Sequence, residues 1–199
     1  MFNLKKGQGI IFIINLLYLI PFFIIFLNRR NYEFVSYVGV IIIILAIILL
    51  TNKKVNYPNI VLWGLTLWGL MHMAGGGIRF ENGNILYKLI LIPISASYEI
   101  LKYDQVVHLI GFGVATLLAF ALVKPLLKEK LSHHVALGIV VVMAGLGIGA
   151  LNEIVEFTVT VFVPETGVGG YVNTSLDLVA DLVGGLIAWI WIVLKKYKI

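Results

Sequence analysis

The run "VALGIVVVMAGLGIGALNEIVEFTVTVFV" occupies residues 135–163 and contains no Lys or Arg. It is longer than the roughly 18 apolar residues that mark a membrane-crossing helix. Yet it carries Glu153 and Glu156 at i,i+3 spacing, which places both on one helix face. A carboxylate at mid-bilayer costs at least about 2.5–3.5 kcal/mol on insertion scales, so such residues face protein or water and not lipid. Within the same run "GLGIGA" (145–150) matches the Ala-ended dinucleotide fingerprint, but no strand precedes it. Gly145 and Gly149 at small-xxx-small spacing read instead as a close helix contact.

The rest of the chain follows this pattern. It has 199 residues, 60% hydrophobic and 13% charged, with a mean hydropathy of +1.01. A soluble domain carries about a quarter charged residues. About six spans can be laid along residues 1–199, near 10–27, 33–51, 58–74, 103–124, 135–163 and 175–194. The expected fold is an all-α polytopic membrane helix bundle forming a single transmembrane domain. The apolar stretch after the basic N-terminus runs to Leu27 with no small-residue cleavage site, which reads as an uncleaved first span. Pro21 is expected to kink it. The segment "ILYKLILIPI" (85–94) is too short to cross and reads as an interfacial or re-entrant piece. The net charge of +5 reflects lysines flanking the spans, not a nucleic-acid partner. With no cysteine, disulfides, thiol catalysis and thiolate metal sites are excluded.

Orientation follows from the basic residues. With the N-terminus inside, Lys5, Lys6, Lys53, Lys54, Lys124, Lys128, Lys130, Lys195, Lys196 and Lys198 are cytoplasmic. Only Arg29, Arg30, Arg79, Lys88 and Lys102 are outside. The positive-inside rule therefore predicts N-in and C-in. His133 and His134 fall in a basic, solvated inner loop, whereas "AGGG" (74–77) and "GVGGY" (167–171) read as outer loops.

That orientation brings the intramembrane polar residues to one depth. His72 ends the third span, Asp104 and His108 open the fourth, Glu153 and Glu156 lie late in the fifth, and Asp177 and Asp181 open the sixth. At 1.5 Å per residue all fall within roughly 15 Å of the outer helix ends. Asp104/His108 and Asp177/Asp181 are i,i+4 pairs, each on one face. So many carboxylates at close range require protonation or a cation. Histidine with Asp and Glu is a donor set for Zn, Mn or Fe, and the acids alone would suit Mg or Ca. His72, His108, Glu153, Glu156 and Asp177 are therefore the candidate ligands of a divalent metal ion, and His108, Glu153, Glu156 and Asp177 are expected to converge on one pocket. The plainer readings are that Glu153 and Glu156 are interhelical struts, that Asp104 caps the fourth helix, and that Asn173 or Thr174 caps the sixth.

The segments "YDQVVHLIGFG", "GALNEIVEF" and "VGGYVNTSLDLVADLVGG" resemble the YjdF-like family of small prokaryotic inner-membrane proteins and, more distantly, the VanZ-like proteins. The resemblance covers roughly residues 60–190. It rests on an ordered Asp-x-x-x-His, an Asn-Glu-x-x-Glu, and an Asp near the start of the last helix. Carried over, it implicates Asp104, His108, Asn152, Glu153, Glu156, Asn173 and Asp177; the family has Asn more often where this chain has Asp181. It implies a multi-pass protein of the cytoplasmic membrane and supplies no reaction.

Three functional classes remain, in this order. The first is a membrane-embedded, metal-dependent enzyme acting on a lipid or lipid-linked headgroup at the outer face, with Glu153, Glu156 or Asp104 as acid or base. The second is a proton- or cation-coupled transporter of a small solute. The third is a non-catalytic membrane protein whose polar cluster is structural.

Overall fold

The computed structural model describes residues 4–95, 97–127, 134–163 and 166–198. Lys128, Lys130 and His133 lie outside the described residues. Six helices are long and apolar enough to cross a membrane, and no strand occurs among the described residues. They are α1 (Gln8–Asn28), α2 (Tyr32–Val55), α3 (Asn59–Gly77), α4 (Tyr103–Val123), α5 (His134–Phe162) and α6 (Tyr171–Leu194). Pro21 lies inside α1.

Local chemistry sets the helix boundaries. The Asn31 side chain caps α2 by accepting from the Phe34 N–H at 3.2 Å. Asn56, left-handed at φ 62, ends α2, and Pro58 precedes α3. Arg29 reaches across to donate to the Gly77 carbonyl at 2.7 Å, satisfying an acceptor at the end of α3.

The helices form two groups. α1, α2 and α3 pack together around Phe26, Phe34, Tyr37 and Met73. α4, α5 and α6 pack around Phe120, Val141 and Ile192, and α3 joins the groups by packing on α4. In lipid, apolar burial does not drive helices together, so close packing and polar contacts must. Small residues supply the first: Gly145 lies against Thr116, Gly149 against the Asp181 carboxylate, and Gly184 against the Leu109 backbone. The second appears on the seam of α1 and α3. There Tyr18 donates to Asn15 Oδ1 at 2.6 Å and Asn15 Nδ2 donates to Thr66 Oγ1 at 2.8 Å.

Two expectations need correction. Gly75, Gly76 and Gly77 belong to α3 and are not loop; they are small because the rings of Tyr87, Phe34 and Phe22 press on them. Likewise α6 starts at Tyr171, several residues before the expected 175, with Gly170 as its N-cap. The described residues of segment 78–102 form no crossing or re-entrant helix. They fold over the bundle end through short bridges, Arg79 with Ile85 and Ile90 with Lys102, and a single 3-10 turn at Leu86–Lys88. Tyr87 hangs from that turn into the bundle.

Candidate functional site: an acidic cluster around His108

Helix α4 begins with the Gln105 side chain accepting from the Lys102 N–H at 2.6 Å. That bond satisfies the helix start, so Asp104, already inside α4, is not the cap. The early start of α6 has the same effect on Asn173. It lies within the first turn, where its side chain bridges helices: Nδ2 donates to Asp104 Oδ2 at 3.2 Å and to Asp177 Oδ2. Its Oδ1 accepts from Lys102 Nζ at 2.6 Å. Lys102 thus reaches the polar site from the rim, and also pairs with the exposed Glu99 at 3.3 Å.

His108 lies one turn below Asp104 and is buried, as are Asp177 and Asp181, both 0% exposed. Its Nδ1 is 3.0 Å from Asp181 Oδ1. An ionised Asp181 can only accept, which puts a proton on Nδ1, and in the neutral ring Nε2 then keeps its lone pair. Nε2 faces Glu153 Oε1 at 3.8 Å, beyond a hydrogen bond. Asp104, His108 and Asp177 each offer a donor atom within 4.8 Å of the others, and so do His108, Glu153 and Glu156. Asn152 Nδ2 donates to Glu156 Oε1 at 2.8 Å, fixing that carboxylate on α5.

The donor set fits a divalent cation. Glu153 Oε1, Asp177 Oδ1 and Asp181 Oδ2 are buried oxygens with no hydrogen-bond partner among the described residues. Buried carboxylate oxygens left this way are costly unless they are protonated or a cation meets them. No Lys or Arg forms an ion pair with any of the three among the described residues. An Nδ1-anchored imidazole presenting Nε2 toward carboxylates is the arrangement in which a second carboxylate orients a metal-binding histidine.

The structure keeps His72 apart from both donor groups. Burial, then the charges of Asp104 and Glu156, holds the Tyr87 phenol well above its ordinary range, so Tyr87 remains a donor. Its hydroxyl is hydrogen-bonded to His72 Nδ1. Rings of Trp68, Phe34 and Tyr37 surround the imidazole at centroid distances of 5.6, 6.0 and 5.2 Å. His72 is therefore a wall residue and not a member of the cluster.

The cluster opens into a cavity of about 420 Å³ whose lining includes Glu33, Tyr37, His72, Tyr87, Lys88, Lys102, Asp104, Glu156, Gly167 and Asn173. Asp104 and Glu156 belong to both cavity and cluster. Glu33 and Tyr37 escape sequence reasoning, because a first-turn acid beside an interface looks like ordinary dipole complementation. Their i,i+4 spacing was the available signal.

Among curated proteins and among solved structures, nothing matches this chain. A family description does match, over residues 10–197, which takes in the six helices apart from the first two residues of α1, and every residue of the cluster. The chain belongs to the family of predicted membrane proteins DUF2238.

Proposed function

We propose that the chain is a metal-dependent enzyme of the prokaryotic cytoplasmic membrane, with both termini inside, acting on a lipid or lipid-linked headgroup at the outer leaflet. One observation carries this reading: a buried His108, oriented by Asp181, presents Nε2 to carboxylates whose oxygens lack partners, beside an open cavity. His108, Glu153 and Glu156 would hold the ion, with Asp181 as the positioning residue. A bound divalent ion supplies Lewis-acid polarisation of a carbonyl or phosphoryl oxygen. Asp104 has one oxygen engaged by Asn173, which leaves the other to take a proton from a substrate in the cavity. Lys102 and Asn173 orient Asp104 from the rim. The kinship to YjdF-like and VanZ-like proteins is part of this reading, supported by the ordered motifs.

Metal content tests it. Protein purified in mild detergent without chelator, or loaded with Mn²⁺, Fe²⁺ or Zn²⁺ and desalted, should retain about one ion per chain, the number one donor triad can hold. No retained ion under any loading would remove the metal. Orientation has its own test: reporter fusions at Lys54 and the C-terminus should read cytoplasm, and those at Asn82 and Gly169 exterior. The reverse pattern would move the cavity to the inner leaflet and end the outer-headgroup reading.

A second reading, cation-coupled transport, draws support from buried polar groups in the other half of the bundle. Gln8 accepts from Asn52 Nδ2 at 2.7 Å and donates to the Tyr57 carbonyl at 3.2 Å. Asn15, Thr66 and Tyr18 lie further along. The interval from Gln8 to Asn15 is two turns of α1, roughly 10 Å. The intervening α1 residue Ile11 is buried and apolar. These groups also bond to one another, as interhelical struts do. Enzyme chemistry therefore ranks first.

A further inference from the structure

Glu33 lies outside both donor groups and has a different environment. The residue is only 6% exposed, and its Oε2 accepts one hydrogen bond, from the Gly167 N–H at 2.6 Å. No Lys or Arg among the described residues comes within ion-pair distance; Lys88, exposed at the rim, acts on it only from further away. One turn along α2, the buried Tyr37 hydroxyl stands beside the Glu33 carboxyl without a hydrogen-bond partner within normal limits. A buried carboxylate with one hydrogen bond of normal geometry, beside a buried hydroxyl with none, both lining one cavity, points to something that binds them.

The surroundings select its chemistry. Phe34 meets the Tyr37 ring at 5.2 Å edge-on and the Tyr87 ring at 5.9 Å, and all three line the cavity. Aromatic faces beside a carboxylate attract an organic cation. A bare metal ion would need several oxygen or nitrogen donors, which rings do not provide. An anion would meet Glu33, Asp104 and Glu156; of the two lysines in the lining, Lys102 is already engaged by Asn173 and Glu99, and Lys88 lies exposed at the rim.

We propose that the Glu33 end of the cavity binds an organic ammonium group, either the amine of a lipid headgroup or that of a free solute. Glu33 neutralises the charge, the Tyr37 hydroxyl accepts an N–H where the amine has one, and Phe34, Tyr37 and Tyr87 supply the aromatic wall. This site rests on the preceding reading for its access from the outer leaflet and for the reacting end of the headgroup lying at Asp104 and Glu156.

The test uses the full chain in nanodiscs. Choline chloride and ethanolamine hydrochloride are titrated calorimetrically against sodium chloride at matched ionic strength. Retention of phosphatidylethanolamine against phosphatidylglycerol is read by native mass spectrometry. Glu33→Gln keeps an acceptor for Gly167 and should fold, yet bind the ammonium at least tenfold more weakly. Tyr37→Phe should spare choline and weaken ethanolamine by a few-fold, whereas Tyr37→Leu should weaken both. Binding of the free amines supports a solute source. Selective retention of phosphatidylethanolamine alone supports the headgroup source. Neither signal, or equal affinity in Glu33→Gln, overturns the site. Metal content is measured on the same samples. Glu33→Gln should keep any ion the wild type holds, and an ion-free chain that still binds ammonium would remove the metal reading while supporting this one.

Discussion

Gly184→Val is expected to lower the thermal midpoint in detergent sharply and to abolish the His108 cluster. A Cβ at Gly184 would collide with the carbonyl oxygen and carbon of Leu109 and crowd the Gly113 amide. All are backbone atoms of α4, so no rotamer change relieves the contact. From the other side, a Cβ on Gly113 would meet the Gly184 carbonyl oxygen at 3.1 Å. Valine adds methyl groups to that clash, and α4 and α6 can accept it only by moving apart. Overpacking of this kind costs about 1–3 kcal/mol, and more where backbone must yield. Leu109 follows His108 directly and Gly184 is one turn beyond Asp181, so the same separation stretches the 3.0 Å His108–Asp181 contact. Gly147→Val is the control, since a Cβ there meets nothing within 4 Å. Melting curves and metal content should change in the first variant and not in the second. A Gly184→Val protein as stable as Gly147→Val would mean that the helices are not this close.

The seam explains why part of the site was legible beforehand. Glu153 and Glu156, Asp104 and His108, and Asp177 and Asp181 announce themselves because an acid in an apolar run must find a partner, and helical spacing says which face holds it. Their convergence follows once the helices alternate direction. His72 looked like the same signal. Its depth is right, but what decides its role is Tyr87, which arrives from a connector whose path no periodicity predicts. Asn173 looked like a cap because the loop before it is rich in glycine; α6 starts earlier at Tyr171, which turns a cap into a bridge. The glycines at 75–77 read as a turn, whereas their function is to admit aromatic rings to the side of a helix. In each case the missing information was a contact between segments distant in sequence. Residue type alone is ambiguous there.

The largest chemical effect should come from the cluster itself. A cation bound only by the folded chain stabilises it by about 2.7 kcal/mol at a hundredfold excess over its dissociation constant. Wild-type protein should therefore melt higher with Mn²⁺ or Zn²⁺ and lower with a chelator. Glu156→Gln separates ligation from structure, because a glutamine carbonyl can still accept from Asn152 Nδ2 as Glu156 Oε1 does at 2.8 Å. That variant should fold as well as chelated wild type or better, having one fewer half-buried acid, yet show no melting response to metal. His108→Ala is a different case. It takes the donor from Asp181 Oδ1 and leaves Glu153 Oε1, Asp177 Oδ1 and Asp181 Oδ2 buried without partners and without the imidazole. Leaving a buried acceptor without its hydrogen-bond donor costs about 1–3 kcal/mol, and more where the acceptor is charged. His108→Ala should thus be destabilised even in chelator and fail to recover with metal. Three melting curves, each with and without metal, discriminate the readings. If Glu156→Gln still responds to metal as wild type does, Glu156 is not a ligand. If no variant differs from wild type in its metal response, the carboxylates are interhelical struts and the cavity needs another chemistry.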